Sequence, residues 1–146
     1  MGQKLYLDTN VYLDYFLDRK DNLRPLGLYA SRLYNEAVSC KFQVLISEAV
    51  IEEICDVLKF KPRQVWEVML KPLVEKEKIE RVEFSEEEAR RLTWQFSREC
   101  SLPEMDALHL GISVKTDSIL VTRDSHFEKL KERFNIKKPE ELLLTV

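Results

Sequence analysis

The chain predicts an α/β fold with a parallel sheet covered on both faces, and three observations carry that prediction. Short β-prone runs alternate with longer stretches of helical periodicity along the whole sequence, which is the signature of βαβ units. The length of 146 residues suits one domain, 1–146, built around a single core. The composition, 45% hydrophobic and 34% charged with only 3 Gly and 5 Pro, argues against disorder, collagen-like repeats and long flexible linkers.

The elements follow in order. Leu5 to Leu7 is the first strand, and it runs through Asp8, Thr9 and Asn10 into a helical stretch with apolar Val11, Leu13, Tyr15, Phe16 and Leu17. After the turn-rich DRKDNLRP, residues Leu26 to Val38 carry Leu26, Tyr29, Ala30, Leu33, Tyr34 and Ala37 at helical spacing. Phe42 to Ile46 is the second strand, and Ser47 stands where an N-cap belongs, ahead of AVIEEICDVL. Pro62 punctuates, Val65 to Glu77 reads as a further helix, and Ile79 to Phe84 as the third strand. Ser85 with Glu88 forms a capping-box pattern for a helix running towards Cys100. Ser101 with Glu104 repeats it, with Pro103 in the first turn, where a missing N–H does no harm. Ser118 to Thr122, SILVT, is the clearest strand. Ser125 onward returns to helix, and a short strand at Asn135 to Ile136 and a last turn near Pro139 close the chain.

A formal net charge of -3 advertises no basic face, so an anionic substrate needs either clustered Lys and Arg or divalent ions held by carboxylates. Cys40, Cys55 and Cys100 are odd in number and widely spaced, with no zinc-type pair or disulfide framework, which points to a reducing cytoplasm. MGQKLYLD enters a strand without a hydrophobic signal region, and no run of about 18 apolar residues appears, so neither export nor a membrane partner is expected. High Glu, Lys and Arg with little Asn or Gln is a balance seen in heat-adapted proteins.

In open parallel sheets, ligands bind beyond the carboxyl ends of the strands, near the point where strand order reverses. Asp8 ends the first strand and Asp124 closely follows SILVT, so both fall at that edge. On the helix after Ser47, Val50, Ile51, Ile54, Val57 and Leu58 form an apolar face at ~100° per residue. Glu53 lies on the flank of that face, Glu52 on its far side, and Glu48 in the first turn, where the helix dipole accounts for it. Glu53 is therefore the candidate, with Glu52 competing if the register slips. On the helix from Pro103, Met105, Leu108 and Ile112 cover one side and Ala107, Leu110, Gly111 and Val114 nearly the opposite one. Between them runs a polar stripe of Asp106, His109, Ser113 and Thr116, and a carboxylate there needs a partner or a metal. Four acids converging on one edge repel each other and require counter-charge, and oxygen-only ligands suit Mg²⁺ or Mn²⁺ rather than zinc.

LDTNV with Asp8, SEAVIEEI with Glu53, MDALHLGIS with Asp106 and LVTRDSHF with Asp124 together resemble the PIN-domain ribonucleases, particularly the VapC-type toxins of toxin–antitoxin pairs. The resemblance covers nearly the whole chain in the expected order. It implies a five-stranded parallel sheet in the order 3-2-1-4-5 and cleavage of single-stranded RNA or a structured RNA loop with one or two Mg²⁺ or Mn²⁺ ions. It also implies a homodimer and a possible cognate antitoxin. Carried over residue by residue, Asp8, Glu53, Asp106 and Asp124 form the acidic quartet that holds metal and catalyses. Asn10 and Thr122 then match polar positions that orient the carboxylates or the attacking water. Neither His109 nor His126 is needed as a general base; His109 is either a structural histidine or a hydrogen-bond partner near the site, and Arg123 either touches phosphate or carries surface charge.

Competing readings are weaker. A haloacid-dehalogenase-type phosphatase needs a second Asp where this chain has Asn10, and a receiver-type domain wants paired acids after the first strand. A PIN-domain nuclease that processes RNA without being a toxin, and a catalytically idle binding module, remain as alternatives. Tyr12, Tyr15, Tyr29, Leu33 and Tyr34 either serve an interface or pack in the core.

Overall fold

The computed structural model describes residues 3–20, 25–39 and 42–143. Cys40 and positions 21–24 of the expected turn lie outside them. Five strands, β1 (Gln3–Leu7), β2 (Phe42–Ser47), β3 (Ile79–Val82), β4 (Ile119–Val121) and β5 (Ile136–Lys137), form one parallel sheet in the order β3-β2-β1-β4-β5. This is the order that the resemblance implies. Central β1 pairs with both β2 and β4, with Tyr6 opposite Leu45 on one side and Leu120 on the other. Leu5, Tyr6 and Leu7 are consecutively buried, as expected of a strand covered on both faces.

The helices are α1 (Thr9–Leu17), α2 (Leu26–Val38), α3 (Glu48–Leu58), the single turn α4 (Pro62–Gln64), α5 (Lys71–Glu75), α6 (Glu86–Cys100), α7 (Glu104–Lys115) and α8 (Pro139–Leu143). α2 packs against α1 and α8, while α6 and α7 pack against each other. Gly111 permits that second contact, because a Cβ there would lie 2.9 Å from Leu92 Cβ and 3.1 Å from the Phe96 ring. Among the described residues no helix is long and apolar enough to cross a membrane.

Several local expectations are corrected. The helix expected over Val65 to Glu77 is broken: a π-helical turn spans Val65–Met69, with Leu70 N–H donating to Val65 C=O, and α5 starts afresh with Pro72 in its first turn. Proline cannot supply an interior helical N–H, so the chain restarts around it. Ser101 caps nothing at its expected helix start. Its φ of 54° places it in the left-handed region as the C-cap of α6, and Pro103 is the N-cap of α7, its carbonyl accepting from Ala107 N–H. Ser47 and Ser85 do cap, accepting from Val50 and Glu88 N–H. The third strand stops at Val82, short of Phe84, and the last strand is shifted to Ile136–Lys137. Ser125–Leu130 is a 3₁₀ helix rather than an α-helix.

Burial also departs from the helical wheels in places. Val57 on α3 is exposed, as are Met105 and Val114 on α7, so α7 is not covered on two opposite apolar sides. Instead His109 and Ser113 from the expected polar stripe are buried. Tyr12, Leu33 and Tyr34 are core residues, and Tyr15 stacks on Tyr34 with ring centroids 4.4 Å apart.

Candidate active site

Beyond the carboxyl ends of β1 and β4, the chain turns directly into polar groups. Asp8 follows β1, and its N–H still donates to Val121 C=O, so the ladder to β4 fixes its backbone. Thr122 follows β4. Its hydroxyl donates to Asp8 Oδ2 at 2.9 Å and accepts from Asp124 N–H at 3.1 Å, so one side chain ties two of the acids together. Asp8 is buried. Burial pushes its carboxyl above the usual carboxylate range; His109 and the Thr122 hydrogen bond pull the other way, and Glu53 and Asp106 add to the rise.

Glu53 reaches the same region from α3, and Glu52 points to solvent, so the register favours Glu53. Its Oε1 accepts from the Thr9 hydroxyl at 2.7 Å and pairs with His109 Nε2 at 2.8 Å. Burial pushes Glu53 up, but the hydrogen bonds from His109 and Thr9 outweigh it and leave the carboxyl below its ordinary value. His109 is itself held at Nδ1 by the Tyr6 hydroxyl at 2.8 Å, and that hydroxyl also meets Ser47 Oγ at 2.7 Å. Glu53, His109, Tyr6 and Ser47 are thus joined in one continuous hydrogen-bonded chain that runs into the core.

Asp106, near the start of α7, and Asp124 meet over one imidazole. His126 Nδ1 lies 2.7 Å from Asp106 Oδ2 and 3.0 Å from Asp124 Oδ1. Asp124 caps the 3₁₀ helix by accepting from His126 N–H at 2.9 Å, which brings the ring back over it. The hydrogen bond to Asp106 and the charge of Asp124 raise the His126 pKa. Burial raises that of Asp106, against the His126 hydrogen bond. Ligand atoms of Asp106, Asp124 and His126 all lie within 4.8 Å of one another.

The structure thus brings Asp8, Glu53, Asp106, Asp124 and Thr122 to one edge. Asn10 is exposed on α1 and accepts at Oδ1 from Arg19 Nη1 at 3.1 Å, with no hydrogen bond to any of the four acids among the described residues. Arg123 is not a loose surface charge. It is largely buried, with Nη2 2.6 Å from Glu140 Oε1 and Nε 3.8 Å from Asp14 Oδ2. Sequence reasoning passed over Thr9, Tyr6 and His126 as site residues. Tyr6 carried a signal, the one hydroxyl in an otherwise apolar strand core, and so did His126, two residues after Asp124.

The donor chemistry suits a divalent cation; among the described residues Asp106 and Asp124, with His126, are the ones whose ligand atoms come within 4.8 Å of one another, and Asp8 and Glu53 stand outside that group. Each acid keeps one oxygen that takes no hydrogen bond from a described residue: Asp8 Oδ1, Glu53 Oε2, Asp106 Oδ1 and Asp124 Oδ2. Among the described residues no Lys or Arg pairs with any of the four, and only imidazoles do. Carboxylate oxygens are what Mg²⁺ and Mn²⁺ take, although His126 adds a nitrogen to a set expected to be oxygen only.

Residues 5–133 match the PIN domain family, and the chain belongs to it. Solved structures share the fold at low identity. VapBC2 from Rickettsia felis bound to a DNA fragment from its promoter is 18% identical, covers 93% of this chain and 98% of its own, and has a TM-score of 0.62. A toxin–antitoxin complex from Klebsiella pneumoniae is 18% identical over 92% and 97%, with a TM-score of 0.63. PAE2754 from Pyrobaculum aerophilum is 18% identical over 99% and 96%, with a TM-score of 0.59. No curated protein matches the sequence.

Proposed function

From membership of the PIN domain family and the four convergent acids, we propose that this protein is a divalent-metal-dependent endoribonuclease of the VapC-like toxin type. Its substrate is single-stranded RNA or a structured RNA loop, hydrolysed in the cytoplasm with Mg²⁺ or Mn²⁺. It works as a homodimer and is held in check by an antitoxin encoded as a separate chain. The observation that carries the reading is the set of unengaged oxygens on Asp8, Glu53, Asp106 and Asp124, with no Lys or Arg among the described residues to neutralise them. The toxin–antitoxin assemblies among the structures of like fold support the antitoxin part.

Asp8, Glu53, Asp106 and Asp124 would hold the metal. The chemistry such an ion would supply there is a lowered pKa of bound water and stabilisation of charge on the leaving 3′-oxygen. The chain's own groups do the rest. Thr122 fixes Asp8 at Oδ2, so that Oδ1 alone is presented. Thr9 and His109 do the same for Glu53 at Oε1, and the low pKa of Glu53 keeps it ionised at neutral pH. His126 holds a proton at Nδ1 between Asp106 and Asp124, which lowers their mutual repulsion. The His126 side chain is more than half exposed, so solvent reaches the ring that bridges the two acids.

Cleavage of a labelled single-stranded RNA tests this. The wild type cleaves with Mn²⁺ and stops with a chelator, while Asp124→Asn folds, by circular dichroism, and does not cleave. Full activity in that variant would sink the mechanism. Inspection of the neighbouring gene for a small DNA-binding protein separates a toxin from an RNA-processing nuclease.

A further inference from the structure

α6 carries an apolar side that packs and another that does not. Leu92 and Phe96 meet Gly111 of α7, and Cys100 is buried below them. Trp94 points elsewhere and is 62% exposed, so α6–α7 packing does not need it. At ~100° per residue, Arg90, Arg91 and Arg98 lie within about 60° of Trp94, and exposed Glu87 lies about 20° from it, so the face carries three arginines and one glutamate, with Arg91 at its edge towards Glu88 and Lys115. All three are exposed, and among the described residues none has a carboxylate partner. That is unlike Arg19, Arg63, Arg81 and Arg123, which are paired. Arg98 Cζ lies 4.8 Å from the indole centroid.

Arg90, Thr93, Trp94 and Ser97 line an open groove of about 560 Å³ together with Glu104. Glu104 is the first residue of α7, two before Asp106, so the groove opens beside the helix end that carries one of the acids. An indole among unpaired guanidiniums offers a base a flat face to stack on and offers phosphates positive charge, the combination that binds single strands without reading sequence.

We propose that the Trp94 face of α6 is a binding subsite for single-stranded RNA, in which the indole stacks on a base and Arg90, Arg91 and Arg98 contact backbone phosphates. The subsite rests on the nuclease reading for its place beside the acids. The balance of charge favours RNA over a second copy of this chain: Arg90, Arg91 and Arg98 outnumber Glu87 on the helix and Glu104 in the groove, so like copies would meet with a surplus of arginines, whereas an RNA strand supplies counter-charge.

The test is binding of a fluorescein-labelled oligouridine strand to full-length protein carrying Asp8→Asn, which separates binding from cleavage. With Trp66→Phe added, Trp94 becomes the one indole reporter. The strand is expected to quench Trp94. Trp94→Ala should weaken binding about 10- to 100-fold, and Trp94→Phe should retain most of it. Arg90→Ala and Arg98→Ala should each flatten the salt dependence by roughly one phosphate contact. Equal affinity in Trp94→Ala overturns the subsite, as does Trp94 fluorescence that follows protein concentration but not oligouridine, which would assign the face to a second copy. RNA cleavage by the wild type with Trp94-independent binding sinks only the subsite. Trp94-dependent binding without any cleavage by the wild type sinks only the nuclease reading.

Discussion

Asp8 and Glu53 sit in a frame of fixed donors, whereas Asp106 and Asp124 share one exposed imidazole. At the inner half, Thr122, Thr9 and His109 each hold one oxygen, and Thr9, His109 and Thr122 are themselves buried. At the outer half, His126 serves both acids and its side chain is 55% exposed. The inner half is built in advance and the outer half hangs on one exposed ring, while burial raises the pKa of one acid in each, Asp8 and Asp106. A buried half that orients ligands beside an exposed half bridged by one imidazole is a workable division for a site that must take up a cation.

The largest expected effect comes from breaking the inner half at its centre. Asp8→Asn abolishes RNA cleavage, yet raises the melting temperature of metal-free protein, because the buried carboxylate is removed. The sign follows from linkage. The folded-state pKa of Asp8 is raised, so between its ordinary value of 3.8 and that higher value the folded state binds the extra proton. The stability of metal-free wild type therefore falls as pH rises through that window, and the penalty is fully present above it. Melting curves across the acidic range check this, and a variant with the same or lower stability than wild type argues against a strained Asp8.

His109→Ala comes next. It removes the bond to Glu53 and leaves the Tyr6 hydroxyl buried with one partner fewer, for a loss of about 2–3 kcal/mol by denaturant unfolding. Glu53 has a lowered folded pKa, so its contribution is present above its ordinary value of 4.5 and is lost as pH falls through the folded one. The gap between wild type and His109→Ala should therefore narrow on acidification below that range. Thr122→Val is smaller in stability but reaches both halves, and cleavage should drop about 10- to 100-fold, as when an outer-shell partner of a metal ligand is lost. His126→Ala sharpens the contrast from the other side. Stability should change by less than about 0.5 kcal/mol, since the residue is exposed. Mn²⁺ affinity should lose part of its decline at acid pH, because protonated imidazole no longer competes at Asp106 and Asp124.

The two halves were not equally legible in the sequence. Strand and helix order could be read because apolar runs and N-cap serines such as Ser47 and Ser85 are local signals. Glu53 was separable from Glu52 because helical phase is arithmetic once a register is set. The inner frame was hidden: Tyr6 to His109 spans 103 residues and Thr9 to Glu53 spans 44, so only the folded sheet brings them together. His126 was overlooked for a different reason. A 3₁₀ turn capped by Asp124, rather than an α-helix from Ser125, is what folds its ring back over the acids. Arg123 misled because burial cannot be read from a residue type that is usually solvated; Glu140 and Asp14, which enclose it, come from α8 and α1.

The most direct measurement of the central claim, that these acids form one divalent-cation site, is the melting temperature of metal-free protein titrated with Mn²⁺. Wild type is expected to rise with Mn²⁺ to a plateau, as a ligand that binds only the folded state requires. Asp106→Asn, which removes an acid from the outer half whose pKa burial raises, is expected to start at least as stable as wild type and gain far less. A wild-type melting temperature that does not move with Mn²⁺, or an equal gain in Asp106→Asn, contradicts the account.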